Sequence, residues 1–195
     1  MVTQEFINEM GEGEKYSGIS DTTIKKYRET FLIKGDTEDT IVTVWQKYGL
    51  RSYKNGLFWL INPDEYNEIA KKFPDVTNDA LVFARTGIGN LFLFEQGISG
   101  KNINYLNTHT GIKSLAARGF DDFFQWLIGT ETFWMSKCYG KIELKINKKY
   151  GQMKADECYT FVPALALGGK ESIENMEKVK IKENLSILAQ LHNGS

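Results

Sequence analysis

The middle of the chain constrains its fold most strongly, because it contains four short apolar segments with the length and composition of β-strands. The stretches between them are rich in glycine, asparagine and threonine, which favour turns. These links are also too short to hold a crossover helix, so the sequence predicts an antiparallel meander. The four segments are residues 80–85, 91–95, 103–107 and 112–116.

One of these segments, Leu91-Phe92-Leu93-Phe94, is apolar at four consecutive positions. A strand with one face in water alternates apolar and polar residues, whereas a strand covered on both faces is apolar throughout. We therefore expect this segment to form a central strand that is buried on both sides.

Helix signals precede the meander. Apolar residues three, four and seven positions apart line one face of a helix. Ser20-Asp21 is a capping signal for a first helix, Asp36-Thr37 opens a second, and Gly49 is a natural stop for it. The apolar faces of these two helices consist of Ile24, Tyr27 and Phe31, and of Ile41, Val44, Trp45 and Tyr48.

A hairpin and a third helix follow. Asn55-Gly56 is a turn signal, and the apolar residues 57–61 after it resemble a strand. Asn62-Pro63-Asp64-Glu65 combines a capping side chain, a proline at the first helical position and two acids at the positive helix end. The apolar face of this helix is Tyr66, Ile69, Ala70 and Phe73, and Pro74 ends it.

Two further helices are expected after the meander. Residues 120–128 carry an apolar stripe that is entered through Asp121-Asp122 and ends at Gly129, and Ile181, Leu185, Leu188 and Leu191 form the last stripe. Residues 131–150 fit either a helix or a strand, because Ile142, Leu144 and Ile146 alternate while charged neighbours suit a helix.

These patterns predict an α+β fold in which N-terminal helices pack on a central, mainly antiparallel sheet and further helices close the C-terminal end. The chain of 195 residues has 42% hydrophobic and 25% charged residues, as globular proteins do. No repeat and no Pro/Ser-rich linker divides it. We expect one compact unit.

Charge and termini limit the partners. A formal net charge of −1 creates no field that would attract nucleic acid, and Lys145, Lys148 and Lys149 are typical of a solvated face. The N-terminus has neither the basic nor the apolar part of a signal peptide. We expect a cytoplasmic protein that binds neither nucleic acid directly nor a membrane, and the sequence indicates no oligomeric state.

No residue pattern in the chain indicates a cofactor, a metal or a catalytic nucleophile. Cys138 and Cys158 lack the spacing of a zinc site and are expected to be free thiols. His109 and His192 are the only histidines, and no nucleophile lies beside either one in the sequence. Gly87-x-Gly89 and Gly168-Gly169-Lys170 lack the spacing of phosphate-binding loops.

Three acid pairs could serve acid/base hydrolysis, which needs two carboxyl groups facing a cleft. Asp64-Glu65 and Asp121-Asp122 lie where helix starts favour acids. Only Asp156-Glu157 lacks that explanation, and a solvated edge accounts for it more simply than a hydrolase site does.

The C-terminal region resembles a known family. Its motif runs from Asp156-Glu157-Cys158-Tyr159 through the apolar residues 161–167 to Gly168-Gly169, and Glu174-Asn175 and residues 188–191 follow. This motif resembles the C-terminal domain of the Tdi-type immunity proteins of type VI secretion. Upstream, Trp45, Tyr48-Gly49 and residues 55–66 resemble the GAD-like domain that precedes it there, implying a GAD-like region over 1–100 and a Tdi-like region over 101–195.

The resemblance implies a cytoplasmic, non-enzymatic protein that binds a cognate bacterial toxin, often a nuclease, and inhibits it stoichiometrically. Two alternatives stay open: a regulatory or scaffolding interaction domain without a toxin partner, and a hydrolase using Asp156 and Glu157. Genomic context would separate the first alternative from immunity.

Candidate partner contacts lie at the entrance to the motif and in a second patch. Residues 162–167 are expected in a core strand or buried turn, because exposed apolar runs invite aggregation, and Gly168-Gly169 in a tight bend into the last helix. Aromatic side chains anchor many interfaces, although for Trp59 a place in the core is the favoured interpretation. The predicted contacts are Asp156, Glu157 and Tyr159, with Asp64, Glu65 and Trp59 as the second patch.

Overall fold

The computed structural model describes residues 6, 8, 10–33, 40–97, 100–129, 145, 146 and 148–193. Within them, the helices are α1 (Asp21–Ile33), α2 (Thr40–Tyr48), α3 (Pro63–Ala70), α4 (Phe120–Gly129) and α5 (Ile181–Asn193). The strands are β1 (Glu14–Ser17), β2 (Leu50–Tyr53), β3 (Phe58–Leu60), β4 (Leu81–Thr86), β5 (Leu91–Gly97), β6 (Gly100–Asn107), β7 (Ile112–Ala117), β8 (Glu157–Phe161) and β9 (Met176–Lys180).

The strands form two antiparallel sheets. Strands β1 to β7 follow one another in sequence order in a seven-stranded sheet, and β8 pairs with β9 in a second sheet. The α+β fold and the four-strand meander predicted from sequence are confirmed. Strand β1 and the β8–β9 pair were not predicted.

Capping groups place the helix boundaries where the sequence indicated them. The Thr23 amide donates to Ser20 Oγ at 3.1 Å before α1, and the Asp64 amide donates to Asn62 Oδ1 at 3.1 Å before α3. Helix α2 ends at Gly49, which has φ +73°, a conformation that glycine adopts without strain. The predicted start of α2 at Asp36-Thr37 lies outside the described residues.

Strand β5 is buried on both faces, as predicted. Phe92 and Phe94 face one hydrophobic cluster, which also takes its side chains from α1, α2 and α4. Leu91 and Leu93 face a second cluster, which is built from α3, β8, β9 and α5. The large sheet is therefore covered on one side by N-terminal helices and α4, and on the other by α3 and the C-terminal region.

Aromatic contacts fix α4 on its side of the sheet. Phe120 stacks on Phe94 with ring centroids 5.0 Å apart. Phe123 meets Phe83 and Phe92 edge to face at 5.2 and 5.1 Å. Such pairs each add about 0.5–1.5 kcal/mol beyond the area they bury.

The apolar run at 162–167 departs from the prediction that it forms a core strand or buried turn. Strand β8 ends at Phe161, and the next residues form a loop with a short 3-10 turn at Leu165–Leu167. Val162 is 43% exposed and Leu167 is 65% exposed. One reason is Pro163, which has no amide hydrogen to continue the pairing of a strand.

The double glycine makes the predicted tight bend, but the bend leads into β9 rather than directly into α5. Gly168 has φ +83°, and a Cβ on Gly169 would lie 1.9 Å from the Pro163 carbonyl oxygen. No side chain fits at residue 169 without moving the backbone of the loop.

The segment left ambiguous between helix and strand is described only in part. Ile142 and Leu144 lie outside the described residues, whereas residues 145, 146 and 148–150 are helical and Ile146 is buried. Within the described part of the chain, no helix has both the length and the apolar composition needed to cross a membrane.

Asn90 links two turns of the large sheet through buried hydrogen bonds. Its side-chain oxygen accepts from the Thr108 amide at 2.9 Å, and its side-chain nitrogen donates to the Tyr105 hydroxyl at 2.6 Å. Asn90 and Thr108 are both buried, so water cannot replace the amide.

Replacing Asn90 by alanine should lower the free energy of unfolding by about 2–4 kcal/mol, because two buried groups each lose a partner. Urea unfolding measures this. Gln190→Ala, an exposed substitution on α5, is the control and should change stability by less than about 0.5 kcal/mol. An Asn90→Ala protein as stable as the control would contradict this role.

Candidate functional site

A surface groove of about 420 Å³ lies where β1, the first turn of α3, the turn before β8 and the β9–α5 junction meet. Two tyrosines, Tyr16 and Tyr66, form its aromatic part, and Ala155 also lines it. The charged side chains at the groove are Glu65, Asp156, Lys180, Lys182 and Glu183.

Two ion pairs cross the rim of the groove. Lys180 pairs with Asp156, and Lys182 Nζ lies 2.7 Å from Glu65 Oε2. The hydrogen bond from Lys180 lowers the pKa of Asp156 and raises that of Lys180. All four side chains are roughly half exposed, so water and salt screen both pairs and they can separate at little cost.

The groove brings together two residues that the sequence placed in separate patches. Glu65 comes from the start of α3 and Asp156 from the turn before β8. Glu157 is not part of the groove lining: its carboxylate accepts from the Lys154 amide at 2.9 Å and lies 3.8 Å from Lys178 Nζ.

Asp64 adjoins Glu65 in sequence but faces a different groove, of about 400 Å³. It pairs with Lys26, and the Tyr27 hydroxyl donates to Asp64 Oδ1 at 2.7 Å. Although desolvation acts in the opposite direction, these hydrogen bonds lower the pKa of Asp64. The second predicted patch is therefore divided between two surfaces.

Both aromatic residues named as candidate partner contacts lie in the core, which corrects the prediction for Tyr159 and agrees with the interpretation favoured for Trp59. Tyr159 is fully buried and donates its hydroxyl to the Gly151 carbonyl at 2.8 Å. Trp59 is also buried and donates Nε1–H to the Gly56 carbonyl at 2.7 Å. Strand β8 is covered on both faces, so Cys158 and Tyr159 are both buried even though neighbouring strand residues point in opposite directions.

Tyr16 is a partly exposed aromatic residue of the groove, and the sequence did not indicate it. It is 36% exposed, its ring lies 5.4 Å from that of Trp59, and its hydroxyl donates to the Leu60 carbonyl at 2.8 Å. The short strand that carries it lacks the apolar alternation by which a strand is recognised.

Arg85 is the other residue that sequence reasoning missed. It is fully buried in β4, and its guanidinium carbon lies 4.2 Å from the Trp59 ring centroid. Its Nη2 donates to the Ala155 carbonyl at 3.0 Å, so it lies directly beneath a residue that lines the groove. The only sequence signal was an arginine near the end of an otherwise apolar strand.

The geometry does not favour hydrolysis by Asp156 and Glu157. A general acid needs a carboxyl group whose pKa is raised, and Lys180 lowers that of Asp156. Only Asp156 of the two lines the groove. Within the described residues, no group of three or more His, Cys, Asp or Glu side chains is arranged to hold a metal ion.

The Cys158 thiol and the two histidines lie in surroundings that suit a structural role. Cys158 is buried, and desolvation raises the pKa of its thiol to about 12. Cys138 lies outside the described residues. His109 is buried with Nε2 2.9 Å from the Ile88 carbonyl, which can only accept, so Nε2 carries the hydrogen. His192 Nε2 lies 3.0 Å from the Thr108 carbonyl of the same turn region.

Two family models match the chain. Residues 1–107 match the GAD-like domain, and residues 117–192 match the family described as T6SS immunity protein Tdi1, C-terminal, where T6SS denotes the type VI secretion system. Glu65 lies in the first matched region and Asp156 in the second. The groove is thus lined by both regions, and the predicted boundary near residue 100 stays a prediction.

A solved structure shares the fold. The crystal structure of Atu4351 from Agrobacterium tumefaciens superimposes with a TM-score of 0.76 over 96% of this chain and 88% of that chain, at 16% sequence identity. At this identity the likeness shows the fold alone. No curated protein matches the sequence.

Burial of His109 predicts a loss of stability in mild acid. Desolvation lowers the pKa of this ring to about 4, whereas an unfolded histidine has a pKa near 6.5. Above pH of about 6.5 the ring is neutral in both states. Between about pH 6.5 and 4 the unfolded chain binds a proton that the folded chain does not, so the free energy of unfolding should fall.

Urea unfolding between pH 7 and 4 measures this effect. His109→Gln should flatten the decline, whereas His192→Gln, which changes the only other histidine, should retain it. An unchanged pH profile in the His109→Gln protein would contradict the assignment.

Proposed function

The chain belongs to the GAD-like domain family and matches the C-terminal region of the Tdi1 immunity proteins of type VI secretion, and from this we propose that it protects its own cell by binding a cognate toxin. The match over residues 117–192 carries the proposal. Inhibition is stoichiometric: one immunity protein occupies one toxin molecule and blocks its activity.

The groove is our candidate for part of the contact surface. It is lined by both matched regions, so a toxin seated there engages the GAD-like part and the Tdi1-like part together. Tyr16 supplies a partly exposed aromatic ring, the kind of side chain that often anchors an interface. The groove rim is polar, as the rims of protein interfaces are.

The charge pattern suits selective recognition. Three carboxylates and two ammonium groups line the groove, and two pairs of opposite charge already neutralise most of it. Such a rim attracts no partner by net charge alone. It instead favours a partner that places a charge of opposite sign at each of these positions. This complementarity affects partner choice and the rate of association.

Binding rather than catalysis accounts for the chemistry present. Lys180 keeps Asp156 ionised, and the Cys158 thiol is buried and protonated near neutral pH. The complex then suppresses the activity of the toxin. The family resemblance suggests that this toxin is a nuclease.

Co-expression with the toxin encoded beside this chain tests the proposal. The chain should restore growth, and size-exclusion chromatography with light scattering should give a 1:1 complex. If the toxin is a nuclease, the purified chain should stop DNA cleavage at equimolar ratio. Continued toxicity together with no complex at micromolar concentration would overturn the proposal.

A bulky side chain in the groove should weaken toxin binding. Glu183 is an exposed groove residue in the first turn of α5, and an indole at this position would fill part of the groove. We expect Glu183→Trp to raise the Kd for the toxin at least about tenfold by calorimetry, which is about 1.4 kcal/mol.

Glu29→Trp is the matched control, because Glu29 is also an exposed helical glutamate but lies on α1 and outside the groove lining. It should bind within about twofold of the unmodified chain. Equal binding by the Glu183→Trp and Glu29→Trp proteins would remove the groove from the contact surface while leaving the immunity proposal intact.

A further inference from the structure

Arg85 is a buried charge without a carboxylate partner in the described part of the chain. Its side chain is fully buried in β4, and it forms no ion pair with any described acid. Burying an unpaired charge is costly, so buried arginines are normally paired with acids. The burial of Arg85 without an acidic partner is therefore unusual.

The contacts of Arg85 stabilise its charge only in part. Nη1 donates to the Thr86 carbonyl at 3.2 Å, Nη2 donates to the Ala155 carbonyl at 3.0 Å, and the guanidinium stacks over the Trp59 ring. Its Nε has no hydrogen-bond partner within the described residues. Carbonyl dipoles and a ring face favour the cation, but they carry no negative charge to neutralise it.

Arg85 lies one layer of atoms beneath the groove. Ala155, whose carbonyl it binds, lines the groove. Tyr66 also lines the groove, and the positive charge of Arg85 acts on it, opposing the rise in the Tyr66 pKa that desolvation causes. Tyr16 lines the groove as well, and its ring lies 5.4 Å from that of Trp59, the ring over which Arg85 stacks.

Arg85 therefore places a positive charge beneath a groove whose rim carries two ion pairs. On the rim, Lys180 and Lys182 are each paired with an acid. Glu183 is exposed at the mouth, where water and salt screen its charge. Arg85 is fully buried, so its charge acts through a medium of low dielectric constant and is screened much less.

We propose that the groove floor receives a carboxylate of the partner protein, an aspartate or glutamate side chain that inserts between the two rim ion pairs. This inference rests on the proposed function in that the carboxylate belongs to the toxin. In the complex the hydroxyl of Tyr66, a groove residue, donates to the carboxylate, and Lys182 exchanges its half-exposed partner Glu65 for it.

A protein side chain fits this groove better than a nucleic-acid phosphate does. The rim carries three carboxylates and two ammonium groups, both of them already paired, so it offers no row of free cations for a polyanion to follow. A single acidic side chain presents one charge at the floor and a polar surface to the rim. Arg85 would then acquire in the complex the countercharge that it lacks in the free chain.

Acetate tests the anion site in the full chain without the toxin. In ¹⁵N NMR spectra, sodium acetate titrated against sodium chloride at constant ionic strength should shift the Trp59 indole N–H and the backbone amides of Tyr66 and Asp156 in a saturable way, with a Kd on the order of tens of millimolar. Equal shifts with both salts would overturn the inference.

The toxin complex tests the source of the carboxylate. Arg85→Met, which keeps the length and removes the charge, should weaken toxin binding by about ten- to a hundredfold, whereas Arg85→Lys should keep most of the affinity. Single alanine substitutions of exposed toxin acids should reveal one whose effect disappears in the Arg85→Met background. Independent effects for every toxin acid would overturn the inference.

If Arg85→Met does not fold by circular dichroism, Tyr66→Phe replaces it in the same cycle, because it removes only the donating hydroxyl. If a short single-stranded DNA reproduces the acetate shifts at micromolar concentration, the site binds phosphates and the inference falls.

The inference and the proposed function fail separately. Saturable acetate shifts in a chain that binds no neighbouring toxin would leave the anion site and remove the immunity proposal. Toxin neutralisation that is unchanged in a folded Arg85→Met protein, without acetate shifts, would leave immunity and remove the anion site.

Discussion

The burial of β5 on both faces is the constraint on which the rest of the structure depends. Phe92 and Phe94 need one apolar cover and Leu91 and Leu93 need another, because a strand with two apolar faces is unstable in water. The N-terminal helices with α4 supply the first cover. Helix α3, β8, β9 and α5 supply most of the second, so the part of the chain that matches the Tdi1 family model packs on the sheet through its own apolar residues.

The candidate site follows from how the second cover is joined to the sheet. The first turn of α3 and the β9–α5 junction meet at the edge of this cover, and the groove lies between them. Glu65 pairs with Lys182 across this junction. A partner in the groove therefore contacts both parts of the molecule, and Arg85 lies beneath it because β4 runs under the same edge.

Local signals predicted much of the fold from sequence. Ser20, Asn62 and Gly49 act through their own backbone neighbours, so their roles are visible in a few consecutive residues. The unbroken apolar run at 91–94 likewise indicated a strand with two covers. These predictions succeeded because the physics that they used is local.

The predictions that failed concern which apolar residues the tertiary fold leaves exposed. Tyr159 is buried and Leu167 is exposed, the reverse of what the sequence indicated, whereas the burial of Trp59 agrees with the core position that its sequence favoured. Pro163 ends the strand in the middle of an apolar run, and β8 is covered on both faces by elements that are distant in sequence. Arg85 could not be recognised either, since an arginine at a strand end is usually solvated.

The central claim is that a toxin is bound at the groove where the two family regions meet. Hydrogen–deuterium exchange of the free chain and of its toxin complex tests it most directly. We predict slower exchange in the complex for amides near Tyr16, Glu65, Asp156 and Lys182, with little change on the exposed face of α1. Protection confined to other surfaces, with these amides exchanging as they do in the free chain, would contradict the account.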